Sequence, residues 1–106
     1  IEEKFTGRFV GLCGPYHPID WPQAELGWQI ARPSWGQGYA PEAARACAQW
    51  MFEDLGMPRI ISMIDPQNAA SIRVAEKLGE RIDGKFLSKG NDLLIYAMSR
   101  DEFVPA

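Results

Sequence analysis

The sequence predicts an α/β (α+β) domain, a mixed and mostly antiparallel sheet carrying two helices. Three observations predict it. Short runs rich in β-branched and aromatic residues lie toward both ends of the chain. Two segments between them carry apolar residues at helical spacing. Each of those segments is closed by glycine, and a strand-like run separates them, so the helices interrupt the strands.

Ile1–Phe5 and Arg8–Cys13 flank Thr6-Gly7, a two-residue turn, and read as a hairpin. The stretch from Gly14-Pro15-Tyr16-His17-Pro18 through Trp21-Pro22 is expected to loop, because three prolines interrupt a regular ladder. Glu25–Ala31 reads as a strand with Leu26, Trp28 and Ile30 on one face. Arg32–Ala40 follows as a glycine-containing loop. Pro41–Leu55 is the first helix, with proline and Glu42 in the first turn, where each suits the free amides. Its N-cap is expected at Ala40, and its apolar stripe is Ala44, Cys47, Ala48, Met51 and Leu55. Trp50, Met51 and Phe52 are expected to pack on the sheet, and Gly56 and Pro58 end the helix.

Arg59–Ile64 is a β-branched strand, and Asp65-Pro66-Gln67 turns the chain. The second helix is Asn68–Leu78, with Asn68 as N-cap, Gly79 as stop and Ile72, Ala75 and Leu78 facing inward. Arg81–Leu87 and Leu93–Met98, joined through Ser88–Asp92, form a final hairpin. With no repeat, low-complexity segment or linker, the 106 residues read as one domain.

Composition excludes several classes of function. Hydrophobic residues are 46% and charged residues 24%, which argues against disorder. The net charge of -3 argues against a general nucleic-acid binder, and no apolar run approaches the length of a membrane span. Cys13 and Cys47 are too few for a disulfide framework and read as reduced, half-buried thiols, as in the cytoplasm. With one histidine, His17, and no Cys-x-x-Cys, no metal site is expected. His17 has no acid or nucleophile beside it in sequence.

The start of the first helix is odd. Neither Tyr39 nor Ala40 can cap it with a side chain, while Gly36 and Gly38 let backbone come close to a guest. Bare amides at a positive helix end describe an anion site, typically for phosphate, and equally a tight turn capped by water. No Lys-Ser or Lys-Thr follows the glycines, so this is not a P-loop, and the third glycine of a dinucleotide fold is absent.

Wider motifs sharpen the reading. Glu25-Leu26-Gly27-Trp28-Gln29-Ile30, then Pro33 and Trp35-Gly36-Gln37-Gly38-Tyr39-Ala40-Pro41-Glu42-Ala43, resembles the acyl-CoA-binding segment of the GNAT superfamily of N-acetyltransferases. Asn68-Ala69-Ala70-Ser71-Ile72-Arg73-Val74-Ala75-Glu76-Lys77-Leu78-Gly79 resembles the second signature of the branch that includes the ribosomal-protein alanine N-acetyltransferases. The resemblance runs from about Ile1 to Phe103 and implies a GNAT-like core.

It also implies acetyl-CoA as co-substrate. Main-chain groups of Ile30, Ala31 and Arg32 would lie along the pantetheine, and amides of Gln37, Gly38, Tyr39 and Ala40 on the pyrophosphate. Asn68, already an N-cap, would lie near the pantetheine. Many relatives carry an acidic tyrosine where this chain has Ala75; in the branch resembled the candidate acid is the serine, here Ser71, which otherwise reads as a first-turn hydroxyl. Trp35 stands where the superfamily pattern has glutamine or arginine, a form usual for the branch.

The implied reaction is attack of an amine, a peptide N-terminus or a small molecule, on the acetyl thioester. Glu25 is the candidate base, directly or through a water, against the plainer reading of an exposed strand-end carboxylate. Asp65 and Asp92 are weaker candidates, each with a turn to close. Arg73 and Lys77, one turn apart, are a solvated face or a contact for the phosphates, and Tyr16 and Trp21 pack their loop or border a ligand. Glu80 stands where an aromatic is common and is expected to change packing only.

Nothing corresponds to the strand and two helices that open members of the superfamily, and Ile1-Glu2-Glu3-Lys4-Phe5 reads like the inside of a strand. The expectation is therefore a fragment, a chain completed by a partner, or one that no longer acetylates. An exposed sheet edge should then favour a homo-oligomer. The rivals to an enzyme are a non-catalytic acyl-CoA-binding or interaction module and a structural α/β piece without a ligand.

Overall fold

A computed structural model describes residues 1, 7, 11–16, 25–30, 38–88 and 90–103. Along the chain run β1 (Gly11–Tyr16), β2 (Glu25–Ile30), α1 (Tyr39–Glu53), β3 (Arg59–Ile64), α2 (Ala69–Leu78), β4 (Arg81–Ser88) and β5 (Asn91–Ser99), then a 3-10 turn at Arg100–Glu102. The five strands form one sheet in the order β1-β2-β3-β5-β4. Among the described strands only β2 and β3 pair in parallel. The mixed, mostly antiparallel sheet with two helices is the architecture that the sequence predicts.

Alternation along the strands decides which face is covered. Leu26, Ile60 and Met98 on the strands pack with Ala44, Ala48, Met51 and Phe52 of α1 and Val74 and Leu78 of α2 in one cluster, so both helices lie on the same face. Phe103 reaches back from the end of the chain and sets its ring 5.3 Å from that of Phe52. Burying Phe52 completely contributes on the order of 2–3 kcal/mol.

Several boundaries differ from expectation. Gly14, Pro15 and Tyr16 continue β1 rather than looping, with Pro15 opposite Leu26. Proline is tolerated because β1 is an end strand among the described residues, so a missing N–H on its outer side breaks no ladder bond. Of the expected first hairpin, residues 2–6 and 8–10 lie outside the described residues; the Ile1 amino group donates to the Gly11 carbonyl at 2.8 Å. The final hairpin is longer than expected. Ser88 pairs with Asn91, leaving a two-residue loop with Gly90 at φ 80°.

The first helix starts earlier, with Gly38 and not Ala40 as N-cap. Pro41 is then its third residue, still inside the turn whose amides have no helical acceptor. At the other end Gly56 takes φ 68°, and the Met57 amide donates to the Met51 carbonyl at 3.1 Å, so the chain folds back over the last turn. Leu55 thus falls beyond the helix and is 49% exposed, off the stripe assigned to it. Trp50 is also exposed, at 44%, because the buried positions 44, 48, 51 and 52 repeat at helical spacing and 50 falls beside them. Val74 is buried although it was not among the inward positions expected.

This packing predicts two outcomes on neighbouring turns of one helix. Phe52→Ala should cost about 3–5 kcal/mol of unfolding free energy, by loss of transfer energy and a cavity. Trp50→Ala should cost roughly 1 kcal/mol or less. Urea denaturation of both variants measures the contrast.

Candidate active site

Among the described residues the parallel pair β2–β3 has a single register contact, Glu25 opposite Ile61, and no pairing follows it along β2. Beyond it, side chains take the place of main-chain pairing. The Met63 amide donates to Glu25 Oε2 at 2.7 Å. Ser62 Oγ lies 2.8 Å from the Leu26 carbonyl oxygen and 3.0 Å from Glu80 Oε2. The strands therefore part just after the Glu25–Ile61 contact, and a gap opens between the later half of β2 and β3.

Glu25 stands at the start of that gap. It is 5% exposed, so the plainer reading of a solvated strand-end carboxylate does not hold. Burial pushes its carboxyl up to about 7, against the opposing pull of the Met63 amide bond. A carboxyl poised there suits proton transfer at neutral pH. Glu80 is corrected in the same way. Rather than altering packing alone, it is 2% exposed and hydrogen-bonded to Ser62. Burial raises its carboxyl to about 8, with the Ser62 bond opposing and the charge of Glu25 adding.

α2 enters from the other side of the gap. Asn68 caps it, its Oδ1 accepting from the Ser71 amide at 3.1 Å, so the capping role read from sequence is filled. Ser71 is half-buried, and its Oγ accepts from the indole Nε1 of Trp28 at 3.3 Å. Because the indole is donor only, the Ser71 proton stays available for another acceptor. Trp28 was legible only as a core-facing residue of β2. The signal for more was chemical: a part-buried indole N–H needs a partner. Glu25 and Trp28 point to opposite faces of β2 by alternation, so Glu25 and Ser71 approach the gap from opposite sides. Ala75, at the place of the absent tyrosine, is fully buried in a small cluster with Ile64 and Tyr96.

The start of α1 has no side-chain cap. Gly38 takes φ 76°, and a Cβ built on it would meet nothing within 4 Å among the described residues. Tyr39 and Ala40 form the first turn and are half-buried. Ile30 ends β2, while Ala31, Arg32 and Gln37 lie outside the described residues, as do His17 and Trp21. Tyr16 ends β1.

The weaker candidates fall elsewhere. Asp65 accepts from the Gln67 amide at 2.8 Å and closes its own turn. Asp92, Arg73 and Lys77 are exposed. Cys13 and Cys47 are free thiols in contact, and burial, then the hydrogen bond with Cys47, pushes the Cys13 thiol far up, which leaves it protonated and unreactive. An open hollow of about 450 Å³ is lined by Glu76, Gly79, Glu80, Arg81, Ile82 and Tyr96, and none of the candidate catalytic or cofactor-binding residues borders it. No helix among the described residues is long and apolar enough to cross a membrane.

Known proteins share the fold and the family of this chain. The acetyltransferase (GNAT) domain family matches residues 1–81. The uncharacterized protein YkkB of Bacillus subtilis (strain 168) is 48% identical over 80 residues, which is 74% of this chain and 46% of YkkB. An uncharacterized N-acetyltransferase of the same organism, YnaD, is 36% identical over 85 residues, 74% of this chain and 50% of YnaD. A crystal structure of an acetyltransferase from Agrobacterium tumefaciens str. C58 superposes with a TM-score of 0.81 at 38% identity, covering 91% of this chain and 56% of that one. The chain belongs to the GNAT acetyltransferase family, as its two motifs suggest. It spans about half the length of the curated relatives it matches.

The two raised carboxyls make stability depend on pH. Between the ordinary value of 4.5 and folded values of about 7 and about 8, the native state holds protons that the unfolded chain has released. Their contribution is full below about pH 4.5 and is lost as pH rises through 7 to 8. The melting temperature should fall from pH 5 to pH 8.5, and Glu25→Gln should flatten that fall. A melting temperature that rises over this range contradicts the burial of the two acids.

Proposed function

We propose that this chain binds acetyl-CoA in the β2–β3 gap and transfers its acetyl group to an amine. The observation that carries the reading is the parting of the two strands with Glu25 on one side of the opening and the Trp28–Ser71 pair on the other. Two features fit the co-substrate. The start of α1, a positive helix end whose N-cap Gly38 has no side chain, suits the pyrophosphate, which would lie on the amides of Gln37, Gly38, Tyr39 and Ala40. The end of β2, at Ile30, Ala31 and Arg32, offers main-chain groups to the pantetheine, with Asn68 beside it.

Acetyl-CoA supplies the activated acetyl group, and the chain's own groups manage the protons. The amine nitrogen bonds to the thioester carbon and the carbon–sulfur bond breaks. Glu25 takes the proton that the amine loses, directly or through a water. Ser71, oriented by the Trp28 indole, donates its hydroxyl proton toward the departing sulfur and recovers one from solvent.

A peptide N-terminus is the acceptor favoured by the amine's own chemistry. An α-amino group has a pKa of ~7.7–8.0 against ~10.4 for lysine, so its neutral fraction at pH 7 is a few hundredfold larger. The two sequence motifs, which resemble the branch with ribosomal-protein alanine N-acetyltransferases, support the same choice.

Thiol release over a panel of peptides and small amines, beside calorimetry with acetyl-CoA, tests the reading. Glu25→Gln should lower kcat by about 10²–10⁴-fold. Ser71→Ala should lower it roughly tenfold or more, and Trp28→Phe less, since the hydroxyl remains. Gly38→Val should weaken acetyl-CoA binding about tenfold or more, because a side chain enters the space meant for phosphate and a β-branched residue strains the left-handed backbone that presents the amides. Tight binding without turnover on any amine would instead identify an acyl-CoA-binding module. No binding at all would overturn both readings.

A further inference from the structure

Ser62 has one hydroxyl proton and two oxygens within hydrogen-bonding distance, the Leu26 carbonyl at 2.8 Å and Glu80 Oε2 at 3.0 Å. A carbonyl oxygen can only accept. If Glu80 were ionised, it too could only accept, and one of the two contacts would press unshared lone pairs together. Both are satisfied in one arrangement alone: Ser62 donates to Leu26, and Glu80 donates to Ser62. The second carboxyl oxygen points the same way. Glu80 Oε1 is buried without a partner among the described residues, a position far less costly for a neutral acid than for a carboxylate.

We propose that Glu80 is held as a neutral carboxylic acid and acts as a positioning residue for the β2–β3 gap. Its proton fixes the Ser62 hydroxyl on the Leu26 carbonyl and so ties the two strands together at the point where their ladder ends. This rests on the gap being the site of acetyl transfer. Losing the proton turns the Ser62 hydroxyl toward Glu80, frees the Leu26 carbonyl and sets a second negative charge near Glu25. The tie and the base are then disturbed together.

The surroundings of Glu80 favour the neutral form. Glu25 faces it from β2 and adds negative charge; a Ser62 hydroxyl turned to Glu80 from β3 would oppose this, but its one proton is committed to the Leu26 carbonyl in the arrangement proposed. Glu76 on α2, Arg81 on β4 and Tyr96 on β5 share the adjoining hollow, and Lys77 lies on the last turn of α2. Arg81 pairs with Glu102. Ser62 is the hydrogen-bond partner of Glu80 among the described residues, and no cation contacts its carboxyl there.

Carbon-13 NMR of glutamate-labelled protein tests this, with Glu80 Cδ assigned by through-bond correlation to its own backbone, so that the wild type alone gives the answer. The expected signal is that of a protonated acid at pH 6, titrating near 8 and moving to lower pH in Glu25→Gln. A Glu80 already ionised at pH 6 overturns the proposal. In kinetics, kcat/KM should rise near pH 7 with Glu25 and fall above about pH 8 in the wild type. Glu80→Gln, whose amide donates to Ser62 at every pH, should keep the rise and lose the fall. An unchanged alkaline fall in that variant counts against the positioning role. Absence of turnover in every protein would sink the acetyl-transfer reading, while the carboxyl titration still decides whether Glu80 is neutral.

Discussion

Two parallel strands that kept side by side would satisfy each other's main-chain groups indefinitely. Here they stop after Glu25 and Ile61. The Met63 amide and the Leu26 carbonyl lie at the edge of the opening, and each buried polar group left bare there would cost roughly 1–3 kcal/mol. Glu25 takes the amide and Ser62 takes the carbonyl. A strand pair can be held open only if something finishes its hydrogen bonds, and these two side chains do so. The rest of the site follows from that opening.

One consequence is electrostatic. A side chain that finishes a ladder from inside the sheet is necessarily buried, and burial makes a carboxyl reluctant to ionise. The same placement that lets Glu25 hold Met63 therefore gives it an affinity for protons suited to neutral pH. On the other side of the opening, the indole of Trp28 occupies one lone pair of Ser71 and leaves its hydroxyl free to donate. The roles proposed for Glu25 and Asn68 fall on residues that also have structural ones: Glu25 holds the Met63 amide, and Asn68 caps α2.

Much of this was legible in the residues. The two helices announce themselves by period and by glycine stops, and the odd start of α1 by the lack of a capping side chain at Tyr39 or Ala40. Pro15 misled because proline argues against a strand in general, while an end strand tolerates it. Ala40 misled as N-cap because Pro41 fits the third helical position as well as the first. The burial of Glu25 was illegible: alternation shows which face a side chain takes, not whether anything covers that face. Glu80 was visible as a polar residue in an apolar place, but its partner Ser62 is eighteen positions away in sequence and comes to it only through the sheet.

Amide-resolved NMR during titration with acetyl-CoA tests the central claim most directly. The account predicts that the resonances of Gly38, Tyr39 and Ala40 move together with those of Ile30, Asn68 and Ser71, tracing one ligand from the start of α1 along the open side of β2. Shifts confined to the hollow beside Glu76 and Ile82, or none at all at saturating concentration, would contradict it.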